Sequence, residues 1–440
     1  MSEPFKNMFN EPFFDRFSKA IKRIISDFDE RKFVSQIMDD EWENRELKQR
    51  CAHITTVLKG FLPTDYKAAI AKILELLDYE KDAQHDFSKV DDTKFGLTLE
   101  YGWILDNFVE QYGLDDYETS VRAIEKITQF TSCEFAVRPF IVRYPDEMMR
   151  QMLAWSKHEH WGVRRLSSEG CRPRLPWAMA LPNLKKNPTP IIPILENLKN
   201  DKSRFVRLSV ANNLNDIAKD NPDVVIDLAK KWQGKSENVD WVIKHGCRTL
   251  LKQGNAEAMA LFGFNAIKNI SVDEFQILTP KVKIGGSLEF GFKLSNNNDK
   301  KCKIRLEYGL YYQKANGTLS KKVHKISEKE YAENSITQIT RKHSFRVVTT
   351  RVLHPGLHQV SIILNGKELE KCDFELVEFN RSLKIRQLQK EDYPILEDFL
   401  YNAIYLPPDA EPVPREIIYE PEIFVYVKNF GDEDDCGVVA

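Results

Sequence analysis

The chain has 440 residues, of which 42% are hydrophobic and 30% charged, a balance typical of folded globular domains. At about 100 to 200 residues per domain, this length predicts two to four domains and excludes a single small module. The formal net charge is -2, so the average charge gives no reason to expect a polyanionic partner.

The charge is nevertheless unevenly distributed along the chain. Residues 281–351 contain 16 basic and 6 acidic residues, whereas residues 381–440 contain 6 basic and 13 acidic ones. A basic middle section and an acidic final section are therefore predicted, and only the basic section favours a polyanionic partner.

Targeting signals and metal-binding motifs are missing from the sequence. No run approaches the roughly 18 apolar residues of a membrane helix, and the N-terminus lacks the apolar core of a signal peptide. Seven cysteines are scattered without a C-x-x-C pair, and the close pair His158 and His160 points apart on a helix. We expect a cytoplasmic, nucleoid-associated monomer with free thiols, no membrane contact, no metal and no other cofactor.

The first part of the chain, residues 1–268, has the apolar spacing of helices. Phe17, Ile21 and Ile24 illustrate the pattern, which continues to Phe264, and turn signals fall between the periodic segments. Asp65 and Asp116 stand where helix N-caps belong. These features predict a series of antiparallel helix pairs.

Three related helix openings suggest that these pairs are repeats. When Val163, Val206 and Val242 are set in register, the spacings of 43 and 36 residues bracket the length of a HEAT-type repeat. Such repeats stack into a curved solenoid whose concave face is the usual binding surface.

The pattern changes at Ile270, where apolar residues begin to alternate. The segments Ile304–Leu310, Ile336–Ile339, Phe345–Val348 and Gln359–Leu364 are separated by glycine-containing turns. About seven strands within residues 269–380 predict an immunoglobulin-like sandwich. Residues 381–440 then predict a short, incomplete α/β segment, with strands near Ile385–Leu388 and after Gly437 and helices at Tyr393–Ile404 and Ile423–Phe430. The expected fold class is a multidomain chain of three successive units: all-α, all-β and partial α/β.

The densest polar cluster lies between Ser132 and Trp177, and it contains Glu134 and Glu169. These glutamates are 35 residues apart, so inner helices of adjacent repeats can bring both carboxylates to one concave surface. Two carboxylates beside arginines can stabilise a developing cation on a sugar while the arginines hold phosphates. The alternative, more frequent in repeat proteins, is that each glutamate forms an inter-helix ion pair.

Other residues in this region also have two interpretations. Trp161 and Trp177 can offer aromatic faces to a nucleotide or can pack in the core. Asn212 and Asn213 are poor helix formers, so we expect them either to bond to a neighbouring repeat or to contact a phosphate backbone. Motifs for nucleotide-binding loops, zinc proteases and serine hydrolases are absent.

Three segments together resemble AlkC, the alkylpurine DNA glycosylase family of the HEAT-like-repeat superfamily that also includes AlkD. They are Glu134–Phe140, Arg164–Ala178 and Val210–Lys219, and the resemblance extends from Pro4 to Phe264. It implies hydrolysis of the N-glycosidic bond of cationic alkylated bases, 3-methyladenine and 3-methylcytosine, in base excision repair. The partner would be double-stranded DNA containing such bases, and Glu134 and Glu169 fall where the family's active-site carboxylates lie.

The resemblance also implies an open active site without deep extrusion of the base. Without a candidate lysine nucleophile, we expect a monofunctional glycosylase. Some family members append an immunoglobulin-like domain that clamps DNA, which agrees with the basic residues 281–351. The expected substrate or DNA contacts are Trp161, Trp177, Arg138, Arg164, Arg165, Arg172, Arg174, Arg204, Arg207, Asn212, Asn213, Lys244 and Arg248.

The final segment resembles the opening of a GNAT-type acetyltransferase. The resemblance rests on Ile385–Leu388, the following Glu391, Asp392 and Tyr393, and the later Ile417–Tyr419. The pyrophosphate-binding loop of that fold would lie beyond Ala440, so we do not expect acetyl transfer from these residues. A non-catalytic DNA-binding or scaffold protein on the same solenoid remains the alternative to the glycosylase.

Overall fold

The computed structural model describes residues 4–84, 99–265, 267–348, 351–378, 386–403, 414–424 and 438–439. Up to residue 265 these form a helical unit. Its helices are α1 (Glu11–Ile24), α2 (Glu30–Ile37), α3 (Leu47–Lys59), α4 (Tyr66–Gln84), α5 (Leu99–Tyr112), α6 (Tyr117–Thr128), α7 (Val137–Arg143), α8 (Pro145–Trp155), α9 (Trp161–Glu169), α10 (Pro182–Lys186), α11 (Ile192–Leu198), α12 (Arg204–Ile217), α13 (Pro222–Trp232), α14 (Glu237–Gly246), α15 (Arg248–Lys252) and α16 (Ala256–Leu261).

Many of these helices have an N-cap side chain that accepts a hydrogen bond from an amide of the first turn. Asp65 accepts a hydrogen bond from the Ala68 amide at 2.8 Å, and Asp116 accepts one from the Thr119 amide at 3.1 Å. Each cap satisfies a backbone donor that the helix itself leaves unpaired. The two aspartates therefore act as the N-caps that the sequence predicts.

The predicted repeats agree with the packing of three successive helices, α9, α12 and α14. Helix α12 packs between α9 and α14, and Val163, Val206 and Val242 are all fully buried in the shared core. Gly246 allows α14 to approach α12 closely, because a Cβ atom there would lie 2.8 Å from Cβ of Leu214. The three valines that were aligned in the sequence therefore occupy equivalent buried positions in successive helix pairs.

The second unit is a two-sheet sandwich with its own apolar core. Its strands are β1 (Ile270–Ile277), β2 (Lys281–Lys283), β3 (Ser287–Asn296), β4 (Cys302–Gln313), β5 (Leu319–Tyr331), β6 (Ser335–Ser344), β7 (Gly356–Leu364) and β8 (Lys367–Val377). One sheet has the order β1-β3-β6 and the other the order β2-β8-β7-β4-β5.

The predicted strands of the sandwich differ from the observed ones in several places. Phe345–Val348 is not a strand, because only an isolated bridge joins Val348 to Arg351 beyond the end of β6. The strands β2, β5 and β8 lie outside the predicted segments. In β5, many exposed lysines and glutamates hide the alternation that marks a half-buried strand.

Two glycine turns connect the helical unit to the sandwich. Gly254, between α15 and α16, faces Gly366, between β7 and β8, and both have positive φ angles, of 71° and 80°. A Cβ atom on Gly254 would lie 2.6 Å from the Gly366 carbonyl oxygen. Beside them, the Asn365 side-chain amide donates to the Asn265 carbonyl at 2.9 Å. The backbones of the two units therefore touch directly.

The final segment contains β9 (Arg386–Gln387), α17 (Pro394–Ala403), α18 (Pro421–Phe424) and β10 (Val438–Val439). Strands β9 and β10 pair antiparallel, so the two ends of the segment meet. Residues 425–430 of the second expected helix lie outside the described residues, and the GNAT-like relationship stays a prediction.

Neither a membrane-spanning helix nor a disulfide is found in the parts of the chain that the structure covers. No helix there is both long and apolar enough to cross a bilayer. The six cysteines that lie within those parts are free thiols, four of them buried.

Replacing Gly254 by Ala should weaken the junction between the two units. A residue with a side chain in this left-handed conformation costs about 1–2 kcal/mol. In addition, the new Cβ atom would collide with the Gly366 carbonyl oxygen. Gly234→Ala is the matched control, because Gly234 has a similar φ of 76° with nothing within 4 Å. Thermal unfolding should show a larger loss for the Gly254 variant, and equal losses would contradict the close contact.

Candidate active site

A cleft of about 380 Å³ opens in the helical unit between α5, the segment before α7, α9 and the loop after α9. It contains both glutamates that the sequence analysis selected. Its lining consists of Gly102, Trp103, Asp106, Thr131, Ser132, Glu134, Phe135, Arg165, Glu169, Arg172, Leu175, Pro176 and Trp177.

Glu134 is held at the mouth of this cleft by two donors. Its Oε2 atom accepts hydrogen bonds from Ser132 Oγ at 2.6 Å and from Arg165 Nη1 at 2.8 Å. The same Arg165 nitrogen donates to Ser132 Oγ at 3.0 Å, so the three side chains form a closed triangle. The carboxylate is consequently fixed in orientation while 20% of the side chain stays exposed.

Glu169 lies deeper, in a buried chain of alternating charges. Its Oε1 atom accepts from Arg172 Nη1 at 2.7 Å and lies 3.7 Å from Arg165 Nη2, and Arg172 Nε donates to Asp216 Oδ2 at 2.9 Å. Burial acts to raise the pKa of Glu169, but the positive charges of Arg165 and Arg172 outweigh it and place the pKa below the ordinary value. Glu169 is therefore ionised at neutral pH.

The two predicted carboxylates thus share one cleft, and Arg165 contacts both. Glu134, in the turn before α7, forms an ion pair with Arg165 of α9, in line with the alternative interpretation. For Glu169 the expected inter-helix pair is wrong, because its partners are on its own helix and in the loop that follows it. The two interpretations are compatible, because a carboxylate can be oriented by an arginine and still face a cleft.

Aromatic rings form one wall of the cleft. The Trp177 ring is 65% exposed at the rim and lies 6.2 Å from the Trp103 ring, which in turn lies 5.3 Å from Phe135. Trp177 has a positive φ of 64°, and Lys48 on α3 donates a hydrogen bond to its carbonyl oxygen. An exposed indole in a strained, tethered backbone position is typical of a binding surface.

Trp161 has a different environment from Trp177. It is half-buried against the helical core, with its ring 5.8 Å from that of Phe205, and it does not line the cleft. Core packing is therefore the interpretation that the structure supports for Trp161, and the predicted contact with substrate is not supported.

Four of the predicted DNA-contacting arginines, Arg138, Arg164, Arg165 and Arg172, are buried and have structural partners. Arg165 and Arg172 line the cleft and bond to its glutamates, whereas Arg138 and Arg164 lie outside the cleft lining. Arg138 is fully buried and donates to the carbonyl oxygens of Met179 at 2.7 Å and Gly170 at 2.9 Å. Arg164 forms a two-pronged pair with Asp201, at 2.6 and 3.1 Å. Neither guanidinium faces solvent, so we correct these two predictions: Arg138 anchors the loop after α9, and Arg164 joins adjacent repeats.

The two adjacent asparagines, Asn212 and Asn213, differ in burial and in hydrogen-bond partner. Asn213 is fully buried and donates to the Ser168 carbonyl at 2.8 Å, which is the predicted bond to a neighbouring repeat and excludes a phosphate contact. Asn212 is half-buried and accepts from Arg248 Nη2 at 3.0 Å.

The remaining predicted basic residues lie nearer the surface. Arg174 pairs with Asp220 at 2.6 Å, and Arg207 donates to the Asp201 carbonyl at 2.6 Å. Arg204 is exposed, 6.0 Å from the Trp241 ring. Lys244 forms an ion pair with Glu328 of the sandwich, which makes it a bridge between the two units.

Sequence reasoning missed Trp103, Asp106, Phe135 and Asp216, which the structure places in or beside the cleft. A signal existed for Asp106, because it stands between Leu105 and Phe108 on an apolar helix, where a carboxylate is unusual. Trp103 and Phe135 look like ordinary core aromatics in sequence, and only the fold shows that they face a cleft.

Comparisons with known proteins agree with this architecture. A family model described as "DNA alkylation repair enzyme" matches residues 104–254, and one described as "Uncharacterised protein YhaZ, C-terminal Ig-like domain" matches residues 271–378. The "Uncharacterized protein YhaZ" of Bacillus subtilis (strain 168) is 38% identical over 371 residues, which are 84% of this chain and 99% of YhaZ.

A solved structure is similar over a comparable share of the chain. It is described as "Pseudomonas fluorescens alkylpurine DNA glycosylase AlkC bound to DNA containing an abasic site analog" and is 30% identical, with a TM-score of 0.77. The match covers 85% of this chain and 100% of the AlkC chain. The chain therefore belongs to the DNA alkylation repair enzyme family, with a C-terminal Ig-like domain after its helical repeats.

Replacing Arg172 by Ala should destabilise the fold strongly. Glu169 and Asp216 would both lose a buried partner, and breaking a buried pair in this way costs about 3–5 kcal/mol. Urea unfolding at pH 7 measures the loss. Arg174→Ala is the control, since its more exposed pair with Asp220 should contribute less than about 1 kcal/mol.

The lowered pKa of Glu169 also predicts a pH dependence of stability. A carboxylate whose pKa is lower in the folded than in the unfolded chain stabilises the fold above the ordinary value of 4.5. That contribution is lost as the pH falls through the folded-state pKa. Glu169→Gln should therefore flatten the fall in unfolding free energy below pH 4.5, and an unchanged slope would contradict the assignment.

Proposed function

We propose that this protein is a monofunctional DNA glycosylase that releases cationic alkylated bases, 3-methyladenine and 3-methylcytosine, from double-stranded DNA. The observation that carries the proposal is the pair of glutamates in one cleft, oriented by Arg165 and Arg172 beside an aromatic wall. The AlkC relative is described as an alkylpurine DNA glycosylase, which agrees with this chemistry.

In the proposed reaction the substrate supplies a good leaving group and the protein stabilises the charge that develops on the sugar. A base that already carries positive charge is a good leaving group, so no strong general acid is needed. As the glycosidic bond breaks, positive charge develops on the sugar, and carboxylates close to it lower the energy of that transition state. Glu169, which stays ionised, supplies the fixed negative charge, and Glu134, nearer the cleft mouth, is placed to orient the attacking water.

The aromatic wall provides a reason for selectivity towards cationic bases. Attraction between a cation and an aromatic face amounts to about 0.5–2 kcal/mol, and a neutral base does not gain it. The rings of Trp103, Phe135 and Trp177 line the same cleft. We propose that they favour the alkylated base while the carboxylates act on its sugar.

Replacing either Glu134 or Glu169 by Gln should reduce base release by about 100-fold or more, because one electrostatic group aimed at the transition state is lost. The assay is incubation with methylated DNA followed by chromatography of the freed bases. Binding of a DNA duplex with an abasic site should survive. Glu159→Gln, an exposed carboxylate outside the cleft lining, is the matched control and should retain full activity.

The ion pairs of both glutamates favour a second candidate, a DNA-binding protein without catalysis. In that case alkylated DNA would be bound, but neither the parent protein nor any variant would release a base above a heat-inactivated control. Retained release in the Glu134→Gln, Glu169→Gln double variant would instead contradict the assigned catalytic roles.

We further propose that the Ig-like domain clamps the DNA against the helical unit. Burial lowers the pKa of Lys322 on β5, and the positive charges of Arg351 and of Lys252 on α15 lower it further. No carboxylate pairs with these three cations among the residues that the structure describes. Such a concentration of charge suits a phosphate backbone.

Lys322→Ala should therefore weaken DNA binding and reduce the slope of log affinity against log salt by about 1. The rate of base release from bound DNA should stay unchanged, since Lys322 is outside the cleft. Lys19→Ala on α1 serves as the control, because this exposed lysine pairs with Asp15. Equal salt slopes in all three proteins would exclude the clamp at this position.

A further inference from the structure

We infer that Asp106 and Gly102 on α5 position the active-site segment 131–136, and that Asp106 is a positioning residue for the reaction. The inference rests on the proposed function, because the segment carries Ser132, Glu134 and Phe135. The inferred role is to hold the backbone that carries Glu134. Among the described contacts, the Asp106 side chain has no bond to Glu134 or Glu169.

Asp106 holds the end of the segment that runs into α7. Its Oδ1 atom accepts a hydrogen bond from the Ala136 amide at 2.9 Å, and only 3% of the residue is exposed. Ala136 is the residue immediately before the first turn of α7, where the backbone donors of a helix lack partners of their own. Asp106 on α5 therefore caps a different helix, α7. The amide that it bonds, that of Ala136, lies two residues after Glu134.

Gly102 holds the other end of the segment. A Cβ atom on Gly102 would lie 2.0 Å from Thr131 Oγ1, so α5 and the segment touch there without room for any side chain. Residues four apart lie on the same face of a helix, which makes Gly102 and Asp106 consecutive contacts of one surface of α5. Trp103, between them in sequence, contributes its ring to the cleft wall.

The environment of Asp106 explains why its carboxyl can serve in this place. Burial raises its pKa well above the ordinary value, and nearby Glu110 and Glu134 raise it further, while the Ala136 amide and Lys48 act in the opposite direction. A neutral carboxyl keeps its acceptor oxygen and adds no negative charge beside Glu134. An asparagine amide has the same shape and the same acceptor, so Asn should replace Asp at this position.

The test compares single-turnover base release, with enzyme in excess over methylated DNA, in Asp106→Ala and Asp106→Asn. Asp106→Ala should release base about 100-fold more slowly, since a displacement of about 1 Å can cost that much, while Asp106→Asn stays within about threefold of the parent. The affinity for DNA should be unchanged in both. A parent-like rate for a folded Asp106→Ala protein would overturn the inference.

Asp116→Ala is the matched control for a loss of stability alone. Asp116 also caps a helix, α6, through one amide at 3.1 Å, but it does not line the cleft. It should lower the melting temperature without slowing base release. If Asp106→Ala slowed release only as much as Asp116→Ala does, Asp106 would have a general structural role and the inference would fail.

The Gly102 contact gives an independent check. Gly102→Ala should slow base release, and Thr131→Ala in the same protein should restore much of the rate, because it removes the oxygen atom that the new methyl group meets. No restoration in the double variant would contradict the assigned contact.

A measurement on the protein itself separates this inference from the proposed function. In hydrogen exchange read by mass spectrometry, the peptide containing residues 131–137 should exchange faster in Asp106→Ala and normally in Asp106→Asn and Asp116→Ala. If the parent protein releases no base, the proposed function fails while the exchange result still decides whether Asp106 holds the segment. Unchanged exchange in Asp106→Ala would overturn the positioning role whatever the activity.

Discussion

The candidate site depends on buried arginines that allow carboxylates to collect in a cleft. Glu134, Glu169 and Asp216 would repel one another if Arg165 and Arg172 did not alternate with them. Each guanidinium presents several donors in a rigid plane, so it neutralises charge and sets orientation together. The result is a group of carboxylates held in fixed orientations inside the protein, as the proposed stabilisation of a cationic transition state would require.

The repeat architecture supplies these partners from separate helices. Arg165 and Glu169 come from α9, Arg172 from the loop that follows it, and Asp216 from α12 of the next repeat. Stacking one repeat on another therefore assembles the charge network, and Asn213 strengthens the same contact by donating to the Ser168 carbonyl. Arg172 takes part in both kinds of bond, because it pairs with Glu169 of the cleft and with Asp216 of the next repeat.

Much of this arrangement could be predicted from the sequence, but unevenly. The helical repeats, the sandwich and the meeting of Glu134 with Glu169 followed from spacing and resemblance, because period and register are local properties of the chain. The roles of individual arginines did not, since an arginine that bonds to carbonyl groups looks in sequence like one that faces phosphate. Arg138 is the clearest case, and its partners Gly170 and Met179 are known only once the loop after α9 is folded back onto α7.

The facing glycines at Gly254 and Gly366 have a consequence for how such chains can diverge. Where two turns meet through their backbones, no side chain between them can adjust its conformation if one turn shifts. An insertion in either turn would alter the separation and tilt of the two units, and with them the width of any channel between the units. The pair should therefore vary together among homologues, and relatives that have lost one glycine should show a compensating change in the opposite turn.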